Sequence, residues 1–219
     1  MISDTFTPAA VIFDMDGLML DTERPMVAMW RRVGWDHGWD ITQDLLFRTV
    51  GVKEEVSRGI FLEEYGADFP YDALKREVFR RREAQIQREG IPHRPGLGTL
   101  LDHLAARGIP LGLASSTVRE IGLWKLRKAR ILDRFQVLAF GDEVRLSKPA
   151  PDIFLLAASR LHKAPEDCLG FEDSPAGLQG LAAAGIRSVF IRDLIEPSPE
   201  ILSGVWCRFE DLAEAVTLF

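Results

Sequence analysis

The sequence predicts an α/β protein, a doubly wound parallel sheet with a four-helix segment inserted after its first strand. Three observations carry this. Five short runs are apolar on both faces, as strands of a parallel sheet covered by helices on either side must be. Helical patterns separate the last four runs, and strands alternating with helices build βα units. Residues 18–90, between the first run and this alternation, read as helix throughout with no good strand.

Taken in order, "AAVIFD" (9–14) is the first strand. The stretches 22–38, 42–51, 53–66 and 71–90 follow as helices, with Gly38, Gly51, Gly66 and Gly90 as their stops. Pro95-Gly96 restarts the core. "LGTLLDHLAARG" (97–108) sets Leu100, Leu101, Leu104 and Ala105 at helical spacing and ends on glycine. "IPLGLAS" (109–115), "FQVLAF" (135–140), "CLGFED" (168–173) and "SVFIRD" (188–193) are the remaining strands, and helices over 117–131, 150–161 and 174–185 connect them. The expected division is a core of residues 1–17 and 92–219 and a helical cap of residues 18–91. Ligands of open α/β sheets bind at the carboxyl ends of the strands, so an insertion just after the first strand is expected to act as a lid.

The bulk properties exclude several classes. A chain of 219 residues, 47% hydrophobic, can bury a proper core. The net charge of −6 argues against nucleic acid or an anionic membrane as partner. The basic run Arg80-Arg81-Arg82, with Arg76 and Arg88, is interleaved with acids and reads as a solvated helix face. Trp30, Trp35 and Trp39 are expected to pack between the inserted helices. No apolar run approaches a membrane span, and "MISDTFTPAA" lacks the features of a signal peptide. Cys168 and Cys207 are far apart, without metal-type spacing. The expectation is a cytoplasmic protein, and no feature indicates an obligatory protein partner.

Chemistry collects at the carboxyl ends of the expected strands. Asp14 and Asp16 end the first, Ser115, Ser116 and Thr117 the second, and Glu172 and Asp173 the fourth; Lys148 follows the third. Taken alone, Asp14 and Asp16 would be a polar turn, and Ser115 could cap the next helix. Together, several carboxylates on one edge need a cation. Oxygen ligands without a His or Cys cluster favour Mg²⁺. Hydroxyls, main-chain N–H groups and a lysine make an anion site that suits phosphate. A carboxylate beside a metal and a phosphate suggests phosphoryl transfer.

Four segments, in order, resemble the motifs of the haloacid dehalogenase-like hydrolases, in the branch of phosphatases and β-phosphoglucomutases: "DMDGLMLDTE" (14–23), "LASST" (113–117), "SKPAPDIF" (147–154) and "GFEDSPAG" (170–177). The resemblance covers nearly the whole chain and implies a Rossmann-like core with a helical cap. It implies Asp14 as nucleophile and Asp16 as general acid and base. It implies Ser115, the Ser116 N–H and Lys148 as phosphate-binding groups. Asp14, Asp173 and the main-chain carbonyl of Asp16 would hold Mg²⁺, with Glu172 reaching it directly or through water. Gly17 would allow a tight turn beneath the nucleophile. The substrate implied is a small phosphorylated metabolite such as a sugar phosphate. Two departures favour a phosphatase over a mutase: "DTERPMVAMW" has Arg24 and Met26 where the family often has proline and histidine, and "VGVKEEV" (50–56) has Lys53 and Glu54 but no arginine to grip a second phosphate. Lys53 remains a candidate substrate contact. The alternatives are a phosphomutase, a receiver-like phospho-acceptor and a dehalogenase.

Overall fold

The computed structural model of the protein describes residues 6–50, 52 and 54–219. The chain divides into two compact units, one of the described residues up to Leu20 with Pro92–Phe219, the other Asp21–Ile91.

The Asp21–Ile91 unit is helical: α1 (Glu23–Asp36), α2 (Gln43–Arg48), α3 (Glu54–Tyr65) and α4 (Tyr71–Glu89). The Thr42 hydroxyl caps α2 by accepting from Leu45 N at 3.3 Å, satisfying one of the free N–H groups of the first turn. Trp30, Phe61, Phe69 and Tyr71 form an aromatic core, with Trp30 and Phe61 centroids 4.8 Å apart. Trp39 packs against it, but Trp35 is 74% exposed. Helix α1 buries Trp30, Val33 and Gly34, and the next residue along turns away from that face. The basic run also departs from expectation. Arg80 and Arg81 pair with Glu77, but Arg82 is buried. It lies on the same stripe of α4 as Leu74, Val78 and Ile86, at steps of four residues. Burial pushes its guanidinium below the usual arginine range.

The other unit carries the sheet. Its strands are β1 (Ala10–Phe13), β2 (Leu111–Ser115), β3 (Val137–Phe140), β4 (Cys168–Glu172), β5 (Arg187–Ile191) and β6 (Cys207–Phe209). All are parallel, in the order β3-β2-β1-β4-β5-β6. Its helices are α5 (Leu97–Ala106), α6 (Arg119–Lys128), α7 (Asp152–Arg160), α8 (Pro175–Ala183) and α9 (Pro199–Ser203). Strand β1 is central and wholly buried, and Phe13 stacks on Phe171 of β4 at 4.9 Å. Ile12, Ala114 and Ala139 of three strands pack against Ile153, Phe154 and Ala157 of α7. The connections reverse direction between β1 and β4, so the switch point lies where Asp14 and Glu172 leave the sheet.

The chain departs from this unit after Leu20 and returns at Pro92. Leu20 and His93 form an antiparallel bridge, and Arg94 N donates to Met19 O at 2.8 Å. The His93 Nε2 lies 2.7 Å from Ala129 O. Cys168 and Cys207 are both free and buried, and burial pushes the Cys168 thiol up to about 11. Among the described residues no helix is long and apolar enough to cross a membrane.

Candidate active site

The pairing of β1 with β4 continues one residue past the strand, where Asp14 N donates to Phe171 O at 3.1 Å. Asp14 and Glu172 therefore leave neighbouring strands side by side. The chain then turns sharply, with Met19 N and Leu20 N both donating to Met15 O at 3.0 Å. Gly17 sits within this turn at φ +88°, the left-handed region that costs glycine least. A Cβ there would lie 2.3 Å from Asp173 Oδ2, so the turn and the fourth strand's acid leave room only for hydrogen.

Lys148 joins the two strand ends. Its Nζ donates to Asp14 Oδ1 and to Glu172 Oε1, each at 2.5 Å, and lies 4.7 Å from the centroid of Phe154. The other oxygen of Glu172 accepts from Asp173 N, Ser174 N and Ser174 Oγ at 3.0, 2.9 and 2.9 Å. Glu172 is completely buried with both oxygens engaged. It braces Lys148 and the 173–174 turn.

The electrostatics follow from burying several acids with one lysine. Burial raises the Asp14 carboxyl to about 7; Lys148 pulls it down and Glu172 pushes it up. Asp173 is raised well above the carboxylate range by burial, then by Glu172, Asp14 and Asp193. Burial pulls Lys148 down, but Asp14 and Glu172 outweigh it and hold the ammonium above the ordinary lysine value.

The second strand contributes hydroxyls. Ser115, the last residue of β2, is buried, and its Oγ accepts from Thr117 N at 3.2 Å. This is a hydroxyl turn; α6 begins later, after Val118, so Ser115 does not cap it. Ser116 is exposed at the same edge. Asp16 is held by two donors, Thr117 Oγ1 to Oδ2 at 2.8 Å and Lys125 Nζ to Oδ1 at 2.6 Å. Lys53 lies outside the described residues.

Three residues at this edge were not expected from the sequence: Lys125 on α6, Asp193 after β5, and Arg94, whose Nη1 is 3.2 Å from Asp193 Oδ1. Lys125 stands in a basic helix end and carries no sequence signal. Asp193 ends the run "SVFIRD", and its position at a strand's carboxyl end is the one clue.

The donor set fits a hard divalent cation. Asp173 Oδ1 is buried without a hydrogen-bond partner among the described residues, and its neighbours are acids. Among the described residues no cluster of three or more His, Cys, Asp or Glu side chains is arranged to hold a metal. Two carboxylates with a main-chain carbonyl and water suit Mg²⁺, which keeps several waters.

A doubly wound α/β unit with acids, hydroxyls and a buried lysine at its switch point belongs to the class of open-sheet proteins that bind their ligand at that edge. A family model described as haloacid dehalogenase-like hydrolase matches residues 8–185, and the chain belongs to that family. It is 35% identical over 181 residues to the "Phosphorylated carbohydrates phosphatase" of Thermotoga maritima, covering 83% of each. It is 33% identical over 186 residues to the "Beta-phosphoglucomutase" of Bacillus subtilis, covering 82% of this chain and 81% of the relative. Among solved structures, CbbY from Rhodobacter sphaeroides in complex with phosphate superposes with TM-score 0.70 at 28% identity, covering 95% of this chain and 96% of that one. A family hydrolase from Deinococcus radiodurans shares the fold with TM-score 0.83, covering 98% of both chains at 22% identity.

Proposed function

We propose that the chain is a Mg²⁺-dependent phosphatase that hydrolyses a small organic phosphomonoester through an aspartyl-phosphate on Asp14. The observation that carries this reading is the meeting of Asp14, Lys148 and Glu172 at the switch point, with Asp173 beside them. The relative from Thermotoga maritima, named for phosphorylated carbohydrates, supports a sugar phosphate as substrate.

In the first half-reaction a bond forms between an Asp14 oxygen and phosphorus as the ester P–O bond breaks. The leaving oxygen keeps the electron pair and takes a proton from the Asp16 carboxyl. In the second, water attacks phosphorus, gives its proton to Asp16, and Asp14 departs as carboxylate. Alcohol and phosphate are the products. Ser115, the Ser116 N–H and Lys148 hold the phosphoryl oxygens. Asp14, Asp173 and the Asp16 main-chain carbonyl would hold Mg²⁺, which when bound offsets the charge gathered there. The inserted helical unit is the part of the chain that would select the substrate and exclude water.

A mutase is the second reading, favoured by the Bacillus subtilis relative. Against it, residues 50–56 contain no arginine for a second phosphate.

The test is a panel of phosphorylated metabolites with released phosphate as readout and Asp14→Asn as control. Mg²⁺-dependent release by the wild type and its loss in the variant are expected. Full activity of Asp14→Asn removes Asp14 as nucleophile. Dependence on a bisphosphate primer with little phosphate released identifies a mutase.

A further inference from the structure

Asp14 and Asp16 are two residues apart, and along an extended chain such positions point the same way. Backbone geometry alone therefore does not keep the Asp16 carboxylate out of the acid cluster around Lys148. Two side chains from another part of the fold do so. Thr117 Oγ1 takes one oxygen and Lys125 Nζ the other, at 2.8 and 2.6 Å.

Lys125 reaches Asp16 because α6 lies hard against the end of β3. Gly122 is three residues earlier, on the same side of the helix. A Cβ on Gly122 would sit 2.2 Å from Phe140 Cε1, so glycine lets the helix close on the strand. Arg127 is exposed and Leu126 is buried, while Lys125 is turned in toward Asp16 with 21% of its side chain exposed. The Asp16 side chain is 23% exposed, so the pair is open to an incoming group yet sheltered enough for a charge-assisted bond to fix it.

We propose that Lys125, with Thr117, is a positioning residue that holds the Asp16 carboxyl apart from the Asp14–Lys148–Glu172 cluster, in the orientation from which it exchanges a proton with the leaving oxygen. This rests on the phosphatase reading. The ammonium does not touch phosphorus; it sets where Asp16 stands when the P–O bond breaks. Misplacing a general acid costs most when the leaving group needs its proton most.

The test compares kcat/KM for phenyl phosphate and p-nitrophenyl phosphate, whose leaving groups differ in basicity, in the Mg²⁺-loaded full chain. In Lys125→Met, kcat/KM for phenyl phosphate falls at least about tenfold more than for p-nitrophenyl phosphate. Lys125→Arg, which keeps charge and donor, recovers most of that loss. An equal fall on both substrates, or none, overturns the proposal, because a merely structural lysine does not distinguish leaving groups. Thermal melting checks that Lys125→Met folds. Should it not fold, Thr117→Val removes the other half of the clamp and is judged by the same difference. Failure of the phosphatase reading looks different: the wild type itself releases no phosphate, or Asp14→Asn releases as much.

Discussion

The two units use the same charged residue types in opposite ways. At the sheet's edge, Lys148, Asp14 and Glu172 have side-chain exposures of 7, 12 and 0%. In the helical unit, Arg58 with Asp72 and Lys75 with Glu54 pair across helices with exposures between 29 and 52%. Water screens the second set and contributes little to either side of the folding balance. It reaches the first set far less, so removing one member leaves the others poorly solvated. The helical unit is held by its aromatic core and can exchange surface charges freely. The sheet unit cannot change one charge at its edge without disturbing the rest.

The sharpest way to break this contrast is Lys148→Met. Unfolding of the metal-stripped protein by urea should show a loss of about 3–5 kcal/mol, the cost of breaking a buried pair. A loss below about 1 kcal/mol would place the cluster in the same class as the surface pairs.

Glu143 is the intermediate case. It accepts from Arg160 Nη2 and Arg119 Nη2 at 2.8 Å and from Phe140 N at 3.0 Å, with 20% of its side chain exposed. The Arg160 hydrogen bond, opposed by burial and helped by Arg119, holds its carboxyl at about 2, below the ordinary 4.5. A depressed carboxyl stabilises the fold above 4.5, and that contribution is lost as pH falls toward about 2. Glu143→Gln should cost about 2 kcal/mol at neutral pH, and the gap to wild type should close on acidification below 4.5. Urea midpoints across a pH series read both. A gap that stays constant with pH would show that Glu143 acts by shape alone.

The smallest effect belongs to Asp72→Asn, which removes the carboxylate facing Arg58. Its melting temperature should match wild type within the error of calorimetry. A clear fall would mean that the helical unit relies on its surface pairs after all.

Much of the sheet was legible because buried parallel strands are apolar on both faces, as "VIF", "LGLA" and "LGF" are, and helical patterns alternate with them. Strand ends differed by up to a few residues, since hydrogen bonding and not hydropathy sets them. Strand β6 and helix α9 were missed; they have three and five residues, too short to show a period. At the site, Asp14, Lys148 and Glu172 were legible because each stands where a strand or its loop ends. Lys125 was not, because a sequence shows that a helix is basic but not which of its residues meets a strand edge. Arg82 was misread for the same reason. Its charge suggested solvent, whereas its step of four from Val78 put it in the buried stripe.

The bridge between Leu20 and His93, with Arg94 N bonded to Met19 O, has a consequence for how this fold diversifies. The chain's two crossings into the helical insert are stitched to each other inside the sheet unit, so the break in the core is already sutured on its own side. A different insert with closely spaced ends could be spliced at 20/21 and 91/92 without reopening that seam.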